Sequence, residues 1–275
     1  MIKFFPDSAL VQLEFDKVKA LLHAHCKTEY AKDKAENLRI HTRKEYIHTE
    51  LRQSYEMMLL QQQGQYFPVD YILNLGRELK LLSIPGAVLT EEQLVHIRKL
   101  AENTQSIFRW FDADRRSAYP ALTQVIEGTY YEKVILELIN DVLDDGGVVK
   151  DDASEELRDI RMSLYRKRNE LRREFEKVLK KLQKQGYVAD IEESFLSGRR
   201  VVALFAEQKR QVKGILHGES ETRRTVFIEP EETIELNNDI FSLENEERRE
   251  VYRFLRVLTE QLSVYASLLT TYHTV

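Results

Sequence analysis

The sequence predicts an α+β protein, predominantly α: a helical core, a long antiparallel two-helix lever, and a small antiparallel β clamp inserted between the lever helices. Three observations carry this. Charged residues make up 32% of the 275 positions, against only 10 glycines and 5 prolines, a composition of long solvated helices rather than of a loop-rich enzyme. Two heavily charged segments, one ending near 185 and one beginning near 231, repeat apolar residues at helical spacing. Between them lies the only long β-like stretch, Arg199 to Asn238. The expected organisation is a helical core over 1–126, a connecting segment and outgoing lever helix over 127–186, a β clamp over 187–230, and a returning lever helix over 231–275.

In chain order, residues 8–64 predict two helices. Leu10, Leu13, Val18, Leu21 and Leu22 share one face of the first, which extends toward Leu38. Ile47, Leu51, Tyr55, Met58 and Leu59 form the stripe of the second. Gly64 and the Tyr66-Phe67-Pro68 corner stop it, because proline lacks a donor and turns its predecessor away from helix. A shorter helix is expected around Tyr71 to Leu82. Thr90-Glu91-Glu92-Gln93 is a capping box opening a helix to about Trp110. Asp112 to Ser117 and Pro120 break the pattern, and a further apolar helix is expected over 127–143. Asp144-Asp145-Gly146-Gly147 is a turn, and Asp152 or Ser154 caps the next helix. That helix, about 155–185, is ~45 Å long at 1.5 Å per residue. Leu157, Ile160, Leu164, Leu171, Phe175, Val178 and Leu182 give it a narrow seam that suits a single partner helix. The returning helix is expected from about Glu231 to Tyr272.

Within the β stretch, 201–205, 214–217 and 225–228 are short apolar, β-branched runs separated by basic turn segments, the pattern of a small antiparallel meander. From Arg158 to Arg224 there are 18 Lys/Arg and 10 Asp/Glu, a local charge of +8 in a chain whose net charge is -5. A basic arm on an acidic body suits a polyanion, since neutralised phosphates release counterions; a merely solvated helix fits the charge count equally. The candidate contacts are Arg199, Arg200, Lys209, Arg210, Lys213, Arg223 and Arg224, most of them at the expected turns and away from the helix-proximal ends. Basic loop tips can touch phosphate oxygens without reading sequence, and they also protect exposed sheet edges.

Catalytic patterns are missing. None of the ten glycines precedes a lysine, so no phosphate-binding loop is present, and no glycine-rich dinucleotide turn opens a helix. Asp144, Asp145, Asp151 and Asp152 lack the alternation of a calcium loop and read as turn and cap. His217 closes a strand with no visible catalytic partner. A single cysteine, Cys26, excludes an internal disulfide framework. With no signal-peptide pattern and no long apolar run, a cytoplasmic protein without membrane contact is expected.

Several motifs resemble one family. Arg200 to Leu204, Gly214-Ile215-Leu216-His217, Phe227-Ile228-Glu229-Pro230 and Glu235-Leu236-Asn237-Asn238 match the clamp region of the MutS family, in the shorter lineage without the N-terminal mismatch-reading domain. Asp144 to Leu157 resembles that lineage's approach to the lever helix, and Leu13-Glu14-Phe15-Asp16-Lys17-Val18 its opening. The resemblance implies a helical core, paired levers and a β clamp. It further implies that a nucleotide-hydrolysing domain, and often a small nuclease-like domain, follows in the full-length protein. ATP and magnesium are therefore expected there and no cofactor in these residues, with homodimers made through the hydrolysing domain. Ending at Thr274-Val275, the chain reads as a fragment, not itself an enzyme. Family roles imply branched or duplex DNA as partner; ribosomal RNA on collided ribosomes, or a purely structural scaffold, are the alternatives.

Overall fold

The computed structural model describes residues 5–6, 8–38, 40–69 and 73–275. The protein is predominantly helical with one small antiparallel sheet. It divides into two compact units: Met1–Val148 with Leu255–Val275, and Val149–Phe254. No helix among the described residues is long and apolar enough to cross a membrane.

The first unit is built from short helices. Where two helices were expected over 8–64 there are four: α1 (Ala9–Gln12), α2 (Phe15–His25), α3 (Glu29–Glu36) and α4 (Lys44–Gln62). α2 stops short of Leu38 because Thr28 turns extended and its hydroxyl accepts from the Ala31 amide, capping α3. Gly64, at φ 65°, ends α4 as expected. The expected apolar stripes face outward: Leu13, Leu21, Leu51 and Tyr55 are all more than half exposed. α4 instead turns Gln53, Glu56 and Leu60 toward α8 (Pro120–Ile126). The Glu56 carboxylate accepts from the Ala121 and Leu122 amides at 3.1 and 2.8 Å, supplying the acceptors that the first turn of α8 lacks. Leu60 joins a core of Ile107, Trp110, Phe111, Tyr119, Leu122 and Ile126.

α5 spans Gly76–Leu82; Tyr71, where it was expected to begin, lies outside the described residues. α6 (Glu91–Trp110) opens on the expected capping box, with the Gln93 amide donating to Thr90 Oγ1 at 3.3 Å and the Thr90 amide to Gln93 Oε1 at 3.0 Å. The polar run after it is not a plain break. Asp112 caps α7 (Ala113–Ala118) and Pro120 takes the first position of α8, where its missing N–H costs nothing. α9 covers only Val134–Val142, since Gly128 sits at φ 84° and the chain from 128 to 133 is not helical. The Asp144–Gly147 turn docks on α6: Arg98, 9% exposed, donates to the Asp144 and Asp145 carbonyls at 2.7 and 3.3 Å.

The returning helix is two. α11 (Glu231–Ser263) breaks at Val264-Tyr265 before α12 (Ala266–Thr274). Its residues up to Phe254 belong to the second unit and those from Leu255 to the first. The Tyr272 hydroxyl donates to the Tyr130 carbonyl at 2.9 Å and accepts from the Glu132 amide at 2.7 Å. Burial lifts its pKa to about 12, against the pull of the Glu132 amide. A pKa raised on folding contributes stability that is complete below the unfolded value near 10 and lost as pH rises from there through about 12. Tyr272 should therefore contribute its phenolate absorbance late in an alkaline titration, and Tyr272→Phe should remove that late contribution.

In the second unit, α10 (Glu155–Lys184) buries the seven residues expected of its seam. Ser154 is its cap, accepting from the Leu157 amide at 3.0 Å while donating to Glu250 at 3.0 Å. α10 and α11 run antiparallel. Contacts climb one as they descend the other, from Ser154–Glu250 through Arg161–Glu247 (2.7 Å) to Lys167–Asp239 (2.8 Å), with Arg168–Glu244 (2.8 Å) beside the last of these. Ile160, Leu164 and Leu171 pack on Leu236 and Ile240 between them. The Arg253 guanidinium, and then the Ser154 hydroxyl, hold the Glu250 carboxyl below the usual carboxylate range against the opposing effect of its burial.

Candidate nucleic-acid interface

The last turns of α10 carry the sheet. Phe175, Val178 and Leu182 pack against Val202 and Leu204 of β2 (Arg199–Phe205) and Val226 and Ile228 of β4 (Thr225–Pro230). The other strands are β1 (Val188–Leu196) and β3 (Gly214–Glu219). The order is β1-β2-β4-β3, so the expected meander is corrected: β4, not β3, is the neighbour of β2. β2 and β3 both run antiparallel to β4 and hence parallel to each other. The eight residues 206–213, opening on a 3-10 turn at Ala206–Gln208, must therefore carry the chain back to the end from which β2 started.

β1 was not expected. Its ladder shifts register between Val188 and Glu193, which interrupts the period-2 pattern. It joins β2 through Ser197 and Gly198, at φ 52° and 78°, the two left-handed residues of a tight hairpin turn.

This topology sorts the candidate cations into two ends. Beside α11, the Arg199 guanidinium donates to Glu229 Oε1 at 2.7 Å and Asn238 Oδ1 at 2.6 Å. Glu229 is fully buried, and it also receives Asn237 Nδ2 at 2.9 Å and faces His217 Nε2 at 2.7 Å. His217 thus has a partner, a carboxylate that is itself saturated. One hydrogen-bonded cluster ties β2, β3 and β4 to the first turns of α11. Arg200 is likewise turned inward: its guanidinium grips Glu193 at 2.6 and 2.9 Å and lies 4.4 Å over the Phe175 ring. Lys213 belongs to this end too, contrary to the turn-tip position expected, because its carbonyl accepts from the Glu231 amide. Next to it, a Cβ on Gly214 would stand 2.1 Å from the Glu229 carbonyl oxygen, so only glycine fits where β3 begins.

At the far end, the β3–β4 hairpin turns at 220–224 with Arg223 at φ 57°. The Arg224 carbonyl accepts from the Ala206 amide, which brings the crossover beside the hairpin, and Lys209 reaches Glu219 at 3.5 Å. Arg210, Arg223 and Arg224 are exposed and make no side-chain hydrogen bond or ion pair among the described residues.

The outer face of α10 adds cations that were visible only as a charge count. Arg166, Arg172, Arg173, Lys177 and Lys180 line one shallow surface with Tyr165, Asn169 and the carboxylates of Glu170, Glu174 and Glu176. Apart from Lys177, which meets Glu174 at 2.6 Å, these cations are exposed and unpaired among the described residues. Spacings of seven, four and three put Arg166, Arg173, Lys177 and Lys180 on one side of the helix, opposite the apolar seam, with Arg172 about a quarter-turn away. No group of three or more His, Cys, Asp or Glu among the described residues is placed to hold a metal ion.

Fold and site together define a predominantly helical protein in which a small antiparallel sheet lies in the chain between two long helices and carries exposed cations at its hairpin end. Over nearly its whole length the chain is homologous to proteins named Endonuclease MutS2. It is 29% identical to the one from Aquifex aeolicus over 257 residues, covering 94% of this chain and 33% of that protein. Identity is 31% with that of Gemmatimonas aurantiaca over 204 residues, 72% of this chain and 24% of the relative. For a Geobacillus protein it is 27% over 259 residues, 94% and 33%. The chain spans about a third of the length of the curated relatives it matches. No family model matches it.

Proposed function

We propose that this chain is the core, lever and clamp portion of a MutS-like DNA repair or recombination-control protein, and that its second unit grips nucleic acid by the backbone without reading sequence. The observation that carries this is the set of exposed, unpaired cations: Arg210, Arg223 and Arg224 at the hairpin end of the sheet, and Arg166, Arg172, Arg173 and Lys180 on α10. Unpaired guanidinium and ammonium groups on a rigid support are what phosphate oxygens require. Lys209 extends the surface beside the hairpin, Lys213 lies at the opposite end beside α11, and Arg199 and Arg200 act from inside by holding the sheet's shape. Homology to MutS2 supports a nucleic-acid partner of this kind.

ATP hydrolysis and any strand cleavage are assigned to the parts of the longer relatives outside the matched span. A homodimer in the longer protein is part of the same proposal.

Fluorescence anisotropy with labelled branched DNA, duplex DNA and ribosomal RNA tests the reading. Binding should fall steeply with salt, with a slope of roughly 0.9 per phosphate contact on duplex. Reversing Lys209, Arg210, Arg223 and Arg224 to glutamate should weaken binding at least tenfold and flatten that slope. Unchanged affinity would move the surface elsewhere on the chain. Absence of binding at low salt would remove nucleic-acid contact from these residues, and preference for ribosomal RNA would redirect the reading to the ribosome.

A further inference from the structure

The face of the sheet turned away from α10 holds a feature that phosphate contact leaves unexplained. Phe205 on β2 and Phe227 on β4 are diagonal neighbours on this face, since Phe205 pairs with Thr225 and Ala203 with Phe227. They line a cavity of about 700 Å3 with Ala189, Ala206, Glu207, Ser220, Thr222, Arg224 and Thr225. Its size falls within the roughly 300–1,000 Å3 range of small-molecule sites. Farther along the same face Val201 and Ala203 are fully covered, so the two rings mark where the face opens. Phe205 is 39% exposed although it belongs to a central strand, where aromatic rings are ordinarily packed away. The rim is polar on every side: Arg224 offers unpaired donors, Glu207 a carboxylate, and Ser220 and Thr222 hydroxyls.

We propose that this cavity takes unpaired nucleobases, stacked on Phe205 and Phe227, while Arg224 binds the adjoining phosphate. Aromatic pairs on the central strands of small antiparallel sheets receive single-stranded nucleic acid in this way, because every base has a stackable face. Charge favours such a partner over an apolar peptide, since Arg223, Arg224 and Arg210 stand exposed and unpaired on the segments flanking the cavity. The Glu207 carboxylate suits an exocyclic base amine. The inference rests on the nucleic-acid reading above and sharpens it: the preferred substrate carries single-stranded nucleotides, as a branch or flap does, rather than uninterrupted duplex.

The test alters the probe, so it does not depend on how variants fold. The whole chain is titrated against labelled single-stranded 12-mers, DNA and RNA in separate arms, and against the same strands with two central abasic positions. Loss of two bases at unchanged backbone charge should weaken binding about tenfold or more. Phe205→Ala should cost a similar factor on intact strands and nothing on abasic ones, while Phe205→Tyr retains affinity. Equal binding of intact and abasic strands overturns the stacking site and leaves phosphate contact standing. Failure of both strands and of duplex to bind at low salt removes the two readings together. A preference for RNA would show that the ribose hydroxyl is also read.

Discussion

Glu229→Ala should lower the stability of the second unit by about 3 kcal/mol, the cost of stripping the partner from a buried charge pair. Glu229 is 0% exposed, and its two oxygens serve Arg199, Asn237 and His217, three side chains from three different elements. Removing it leaves a guanidinium only 23% exposed with Asn238 alone, in a space the shorter residue does not fill. The loss should be read by hydrogen exchange of the β2 and β4 amides, which pair directly. The only tryptophan, Trp110, lies in the core of the first unit, so its fluorescence transition should shift much less. Glu229→Gln, which keeps one acceptor and the volume, should fall between. If β4 protection is as high in Glu229→Ala as in the parent, the cluster does not hold the sheet to α11.

Phe175→Ala should be comparably damaging, at about 3–5 kcal/mol. The ring is fully buried at the centre of the patch where α10 meets β2 and β4, and it also lies under the Arg200 guanidinium. The alanine variant opens a cavity and removes an aromatic face worth about 0.5–1 kcal/mol to the cation. Phe175→Leu separates the two effects, since it restores most of the volume but none of the π face. Arg200→Ala should cost less in the Phe175→Ala background than in the parent, by the amount of that coupling. Equal costs in both backgrounds would show that the stacking contributes nothing.

What the sequence made legible depended on whether the deciding contact was local. The α10 seam is read directly from its spacing because one narrow partner faces it along its length, and the Thr90 box is decided within four residues. Strand order was accessible from one number that period-based reading overlooks: 206–213 is too long for the tight turn a meander needs, whereas 220–224 suits a hairpin. The buried face of α4 was not accessible, because it is set by Glu56 reaching an α8 that begins more than sixty residues later. For the candidate site, adjacent basic residues look alike in sequence. Arg199 and Arg200 differ from Arg223 and Arg224 only in having Glu229 and Glu193 within reach, which pairing register decides and composition does not. The outer face of α10 was present only as a count of charges, until the seam fixed which side is turned away.

The division of the first unit into two stretches of chain has a consequence for synthesis. The second unit is continuous from Val149 to Phe254 and has every strand and both helices of its core once Phe254 has emerged. The first unit begins earlier but ends later. The Leu89 amide is satisfied by the Thr259 hydroxyl, and the Tyr130 carbonyl by Tyr272. At 5–20 residues per second, these two early loop groups, 170 and 142 residues ahead of their partners, wait roughly 7 to 34 s for side chains not yet made. The part made first is thus completed last, and the basic sheet of the second unit is in place before the first unit has closed.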